Sequence, residues 1–187
     1  NISIEFIDDK NKLHNLIANK IANGLIIGYF HGKMEWGPRA LGNRSILADP
    51  RNENIREIIN SKIKRRESFR PFAPSILEEF TDEWFEVKDQ VPFMSKVYQV
   101  KNEKKNIISA VVHVDGSGRL QTVSKNYNEN FYDLIKHFYE ITGVPIILNT
   151  SFNENEPIVC QPEEAIKCFL RTKMDILVLE SYILIRN

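Results

Sequence analysis

The stretch ENFYDLIKHFYEITG (129–143), followed at once by VPIILNTSF (144–152), constrains the fold of this chain more than any other. Phe131, Leu134, Ile135 and Phe138 recur at helical spacing on one face, and Gly143 stands where a helix would end in a left-handed residue. The apolar run that follows reads as a buried strand leading into a polar loop. The same alternation appears elsewhere in a looser form. Asp9 is placed to cap a helix carrying Leu13, Ile17 and Ile21, closed by Asn23-Gly24. LIIGYF (25–30) is expected as a buried strand and NENIREIINSKIK (52–64) as a helix with Ile55, Ile58, Ile59 and Ile63 inward. FRPFAPSIL (69–77) is extended, because Pro71 and Pro74 push their predecessors out of the helical region.

Three further strands are expected at FMSKVYQV (93–100), IISAVVHV (107–114) and RLQTVS (119–124), with KNEKKN and DGSG as the turns between them. Pro162 opens a helix through Leu170, and ILVLES with YILIRN closes the chain as a β-hairpin. Helices and strands interleave without strict alternation. That pattern predicts a mixed sheet with helices packed on it rather than a purely parallel one. No internal repeat or linker divides the chain, and 187 residues suit one domain.

Charge narrows the function. The 25 basic and 25 acidic residues cancel, which argues against a protein that coats nucleic acid by bulk electrostatics. Any anion site must be a local concentration of cations. Two cysteines, Cys160 and Cys168, make neither a disulfide framework nor a zinc spacing, and a cytoplasmic location with reduced thiols is expected. No signal peptide or membrane-length apolar run is present. The chain opens on Asn1 and is expected to be a piece of a longer protein.

Five places combine a turn with polar groups. MEWGPRALGNRS (34–45) carries Arg39 and Arg44 where Gly37, Pro38 and Gly42 suit a tightly bent backbone. Lys64 to Arg66 stand at a helix end, Arg70 beside Pro71, and Arg119 after Asp115-Gly116-Ser117-Gly118. Asn149-Thr150-Ser151-Phe152-Asn153 follows a strand. Each alone is most simply a solvated arginine, a dipole-favoured helix end or a strand end with local turns. Together, in a chain of zero net charge, they describe a pocket for a phosphate or carboxylate, which guanidinium forks bind bidentately. His14 and His137 fall within helices, whereas His31 and His113 end predicted strands near the arginine turns. No histidine has metal spacing, no phosphate-loop or dinucleotide motif is present, and neither cysteine has a base nearby in sequence. Phe72, Phe93, Phe131 and Phe152 are expected in the core.

GKMEWGPRALGNRSILADPR, IKRRESFRPFAPSIL, HVDGSGRLQTV and GVPIILNTSFNENEPIV, in that order from about Gly28 onward, resemble the motif set of the C-terminal domain of the O-carbamoyltransferases, the nodulation-factor and antibiotic-tailoring enzymes. The resemblance implies an α/β fold of the YrdC/Sua5 type, a twisted mixed β-sheet with flanking helices around a basic cavity, spanning residues 1–187. It implies that carbamoyl phosphate and ATP, with Mg²⁺, become carbamoyl-adenylate there. An N-terminal Kae1-like domain, absent from this sequence and carrying its own Fe²⁺ site, would pass the carbamoyl group to a hydroxyl acceptor. Carried over by motif, the binding and catalytic positions would be Arg39, Lys64, Arg70 and Arg119, with Asn149 and Ser151 holding the carbamoyl amide and carbonyl. Arg44 and His113 rank second, and no metal ligand is implied within this domain. Two departures stand out. Ser117-Gly118 replaces the family's common Thr-Ala before the arginine, and Arg65 follows the motif lysine where a glycine is common. The competing reading is a non-catalytic nucleotide- or RNA-binding module of the same fold, and a third is a docking piece inactive without its partner domain. Zero net charge and the lack of an aromatic-basic stripe count against RNA.

Overall fold

The computed structural model describes residues 1–187 and contains ten strands and five α-helices. The first half runs β1 (Ile2–Phe6), α1 (Lys10–Ala22), β2 (Ile27–Phe30), β3 (Arg44–Ala48), α2 (Ile55–Lys62), β4 (Ala73–Leu77), α3 (Thr81–Trp84) and β5 (Tyr98–Gln99). The second half runs β6 (Ser117–Gly118), β7 (Gln121–Val123), α4 (Glu129–Thr142), β8 (Ile146–Ser151), α5 (Pro162–Arg171), β9 (Ile176–Leu179) and β10 (Tyr182–Arg186). Eight strands form one sheet in the order β1-β10-β9-β2-β3-β8-β4-β7, and β5 pairs β6 apart from it. The β2–β9 and β4–β7 pairs are parallel and the rest antiparallel, so the sheet is mixed as the interleaving predicts. None of the helices is long and apolar enough to cross a membrane.

Local chemistry explains the elements. The Asp9 carboxylate accepts the Lys12 N–H at 3.1 Å and starts α1, and the Asn128 side chain accepts the Phe131 N–H at 3.1 Å to start α4. α5 opens on a capping box between Gln161 and Glu164 with Pro162 in its first turn. Helix α4 buries Phe131, Leu134, Ile135 and Phe138, packs on α1, and lies over β4 and β8. Helix α5 packs on β2 and β9. The stripe of α4 and the strand after it thus meet across one core, which 44 buried residues make continuous.

Several expectations fail for identifiable reasons. Residues 93–100 were expected to form a strand, but only Tyr98–Gln99 do. Met94 has φ 51°, which breaks an extended run, and Phe93 is 68% exposed rather than in the core. Residues 107–114 are not a strand either. Ser109–Val111 form a single 3₁₀ turn whose Ala110 N–H donates to the Pro50 carbonyl, and its apolar side chains pack beneath α2. His113 therefore ends no strand. Three strands escape the sequence reading: β1, whose side chains are largely exposed, β3, which lies inside the glycine-rich motif with all five residues buried, and the two-residue β6, which lies in the expected DGSG turn.

His14 on α1 is 2% exposed and its Nδ1 has no hydrogen-bond partner. Burial first, and then neighbouring His137, push its pKa down to about 4. The unfolded histidine titrates near 6.5, so between pH 6.5 and 4 the unfolded chain binds a proton that the folded chain refuses. Stability contributed by this site is present above about pH 6.5 and is lost as the pH falls toward 4. Urea unfolding at pH 7 and pH 4.5 is expected to show His14→Phe losing roughly 2–3 kcal/mol less than the parent over that interval.

Candidate functional site

The site is built on the end of β8. Asn149, Thr150 and Ser151 are its last three residues, flanked by β3 on one side and β4 on the other. Asn149 is 1% exposed, and its Nδ2 donates to the Ala40 carbonyl (3.3 Å), Ser75 Oγ (3.1 Å) and Gln121 Oε1 (3.1 Å). Gln121 on β7 in turn donates to the Leu41 carbonyl at 2.8 Å and accepts Ser75 Oγ–H at 2.6 Å. Three strands and one loop are thereby tied by side-chain amides beneath a cleft.

The loop is the glycine-rich motif. Its two ends are held by Glu35, whose Oε1 accepts the Leu41 N–H at 2.8 Å and the Asn43 N–H at 2.5 Å. Gly42 sits at φ 118°, against Phe131 of α4, so the turn is pinned to the first core residue of that helix. Arg39 projects from this fixed turn, exposed and without an ion-pair partner. Across the cleft, the segment after α2 supplies Arg66 and Arg70, and the link between β6 and β7 supplies Arg119. Together with Pro38, Ala40, Pro71, Met94 and the three β8 residues, these enclose a cleft of about 270 Å³.

Four guanidiniums thus face one space. Only Arg70 has an ion-pair partner, Glu67 at 3.0 Å. Arg66 donates to Asn60 Oδ1 at 2.8 Å and lies over the Phe72 ring, which fixes its direction without neutralising it. Burial, then the neighbouring Arg70, lower the pKa of Arg66 from its ordinary value. Burial and then Arg39 do the same to Arg119. Like charges held together at partial burial are unfavourable in the free chain, and a bound anion relieves that repulsion. Arg119 also has a buried Nε with no partner.

The structure brings Arg39, Arg70, Arg119, Asn149 and Ser151 to one cleft, as their motifs suggest. It places the other three candidates elsewhere. Lys64 is 2% exposed and lies behind the β8 wall. Its Nζ is within reach of the Ser151 carbonyl (2.5 Å), the Asn153 carbonyl (2.9 Å) and Asn153 Oδ1 (2.7 Å), so all three ammonium protons have protein acceptors. Lys64 holds the wall in shape rather than facing the cleft. Arg44 is a buried residue of β3, not of the turn. It lies 3.5 Å over the Phe30 ring and donates to the His31 and Asn43 carbonyls at 3.0 and 2.9 Å. It braces the turn. His113 lies 3.2 Å from Ser117 Oγ and lines a separate depression with Arg56, Phe69 and Val114. Arg66 is marked in the sequence only as part of the helix-end cluster, and no local signal marks Glu35 or Gln121. All three lie within quoted motifs, but their roles depend on distances across the fold.

Comparison with known proteins identifies the family and the fold. The family model described as "Carbamoyltransferase C-terminus" matches residues 18–186, beginning inside α1 and so ahead of the first recognised motif. The chain is 50% identical over 187 residues to Nodulation protein NolNO of Sinorhizobium fredii, covering 98% of this chain and 27% of that protein. It is 51% identical over 170 residues to Nodulation protein NolO of Bradyrhizobium diazoefficiens, covering 89% of this chain and 31% of that protein. The chain spans about a third or less of the length of these relatives. Among solved structures, full-length HypF in its phosphate- and nucleotide-bound form superposes with a TM-score of 0.58 at 16% identity, over 96% of this chain and 22% of that one. The H234A/Y235A form of P. abyssi Sua5 gives 0.58 at 12% identity, over 91% and 51%. The fold is therefore the α/β, YrdC-like one found in both.

Proposed function

The chain belongs to the carbamoyltransferase C-terminus family, and from that premise we propose that its arginine cleft binds carbamoyl phosphate and, with ATP, forms carbamoyl-adenylate. The observation that carries this reading is the convergence of Arg39, Arg66, Arg70 and Arg119 on one cleft, walled by Asn149, Thr150 and Ser151, in a chain of zero net charge. Carbamoyl phosphate is a compact dianion that matches such a cleft in sign and in its demand for directional donors. The structurally similar HypF, solved with phosphate and nucleotide, supports the choice of ligands.

The reaction balances in two parts. Water cleaves carbamoyl phosphate to carbamate and phosphate, and a carbamate oxygen then displaces pyrophosphate from the α-phosphorus of ATP. In both parts charge builds on phosphate oxygens that leave. Fixed guanidiniums already facing that space stabilise the developing charge without reorganising. Arg39 and Arg119, which have no carboxylate partner, are assigned to the phosphate. Arg66, steered by Asn60, and Arg70, which would exchange Glu67 for the ligand, complete the clamp. Lys64 is assigned a positioning role through Ser151 and Asn153. In this reading Mg²⁺ arrives on the ATP phosphates, whose oxygens suit that ion. Transfer of the carbamoyl group to a hydroxyl acceptor belongs to a further domain, as the small share of the relatives' length covered here suggests.

Incubating the chain with carbamoyl phosphate, ATP and Mg²⁺ is expected to release pyrophosphate only when both substrates are present, with carbamoyl-adenylate detected by mass. Pyrophosphate release that ignores carbamoyl phosphate would contradict the proposal. Salt-sensitive RNA binding without turnover would favour a nucleic-acid module instead.

A further inference from the structure

The chain leaves α2 through consecutive cations that take different directions. Lys64 runs in behind β8 to the Ser151 and Asn153 carbonyls, Arg66 faces the cleft, and Arg65 between them reaches to the loop after β8. The fork depends on the backbone of Arg65, which sits at φ 44°. In that left-handed region a residue with a Cβ is strained and glycine is at ease. The Arg65 side chain is anchored at both ends of its guanidinium. Its Nε meets Glu154 Oε1 at 2.9 Å, and its NH₂ donates to the Arg171 carbonyl at the end of α5 at 3.1 Å. The Glu154 carboxylate is only 9% exposed and is shared with Arg171, whose Nε donates to Oε2 at 2.9 Å. Arg171 also pairs with Glu156. Glu154 directly follows Asn153, which accepts from Lys64 through its carbonyl and its Oδ1. The loop after β8 thus grips two neighbouring residues of the α2 exit. Those two segments carry two walls of the cleft, Ser151 on one and Arg66 with Arg70 on the other.

We propose that Glu154 is a positioning residue for the cleft: by holding Arg65 in the left-handed region, it fixes the turn that delivers Arg66 to the anion. Glu154 does not line the cleft and touches no ligand in this role. The inference rests on the reading of the cleft as an anion site and concerns how its arginine wall is set. A strained residue released from its anchor relaxes, and Arg66, whose N–H donates to the Asn60 carbonyl at 3.0 Å, shifts with it. The cleft is then complete in only a fraction of the molecules, and apparent affinity falls by that fraction. Glycine at position 65 holds the same turn without an anchor, so the requirement for Glu154 disappears with Arg65→Gly.

Isothermal titration of the chain and its variants with carbamoyl phosphate and inorganic phosphate tests this. Arg65→Ala and Glu154→Ala are each expected to weaken carbamoyl phosphate binding about tenfold, the order of the cost of an unanchored left-handed residue. Arg65→Gly is expected to bind within about twofold of the parent, and adding Glu154→Ala to it to change affinity by no more than about twofold. Thermal unfolding separates this role from a general loosening of the fold. Glu154→Ala also gives up Arg171, so it is expected to lower Tm in both backgrounds while affinity falls only where Arg65 is present. Equal affinities of Arg65→Ala and Arg65→Gly overturn the proposal, and so does an equal loss of affinity from Glu154→Ala in both backgrounds. If Glu154→Ala does not fold, the contrast between alanine and glycine at position 65 decides. Failure of the parent chain to bind either probe overturns the cleft reading and this inference with it.

Discussion

Gly42→Ala is expected to destabilise the chain by about 2–5 kcal/mol and to lower Tm by roughly 5–15 °C. Two costs combine. At φ 118° an alanine occupies a region that essentially only glycine tolerates, and its Cβ would lie 2.5 Å from Cγ of the Phe131 ring. Phe131 is fully buried on α4, so the ring can yield only by disturbing the core that the helix organises. The same turn carries Arg39 and the carbonyls held by Asn149 and Gln121, and whatever displaces Gly42 also displaces one wall of the cleft. Thermal unfolding followed by far-ultraviolet circular dichroism reads the first effect. A shift within a degree of the parent would mean that the turn is not pinned as described.

Lys64 is expected to give the chain a stability that rises with pH just above neutrality. Burial is the main cause that pushes its amine down to about 7, with Arg66 adding to it, because the oxygens around it carry no formal charge and replace hydration only in part. The unfolded lysine titrates near 10.4, so between pH 7 and that value the unfolded chain holds a proton the folded chain has released. The sign follows: the penalty for Lys64 is fully present below pH 7 and is relieved as the pH rises. The window of about pH 7–9 isolates it, because Cys168, pushed up to about 12 by burial, acts in the opposite direction above the ordinary thiol range. Over those two units the parent is expected to gain roughly 2–3 kcal/mol relative to Lys64→Met in urea unfolding. A difference between the two proteins that does not change with pH would contradict the burial of a titrating amine.

Local signals in the sequence carry much of this architecture. Asp9, Asn128 with Gly143, and Pro162 mark helix ends through hydrogen bonds made within one turn, and α1, α4 and α5 fall where those residues put them. β8 and β9 are equally plain, since their apolar runs are buried in the sheet, and β10 follows β9 as its hairpin partner. What eludes the sequence depends on distant partners. β3 looks like a glycine-rich turn until β2 and β8 pair with it on either side. IISAVVHV has the composition of a strand, yet only Ile108, Ala110 and Val111 are fully buried, Ile107 and Val114 are exposed, and the Ala110 N–H donates to the Pro50 carbonyl. The same division runs through the site. Arg39, Arg70, Arg119, Asn149 and Ser151 stand out as polar groups at turns and strand ends, and the cleft gathers them. Lys64 looks the same in sequence but is turned inward by the carbonyls of Ser151 and Asn153. Arg66 looks like a helix-end cation but faces the cleft because Asn60 and Phe72 aim it there. The orientation of Asn149 depends on a chain of donors running from Leu41 through Gln121 and Ser75, which no local pattern encodes.

The central claim is that the unpaired guanidiniums of the cleft hold the phosphate of carbamoyl phosphate. Calorimetric titration of carbamoyl phosphate into the parent chain, Arg39→Ala and Arg119→Ala, each checked for an unchanged circular dichroism spectrum, tests it most directly. Each substitution removes a charge-assisted donor worth roughly 1.5–3 kcal/mol and is expected to weaken binding about ten- to a hundredfold. Affinity equal to the parent's in both folded variants would contradict the account.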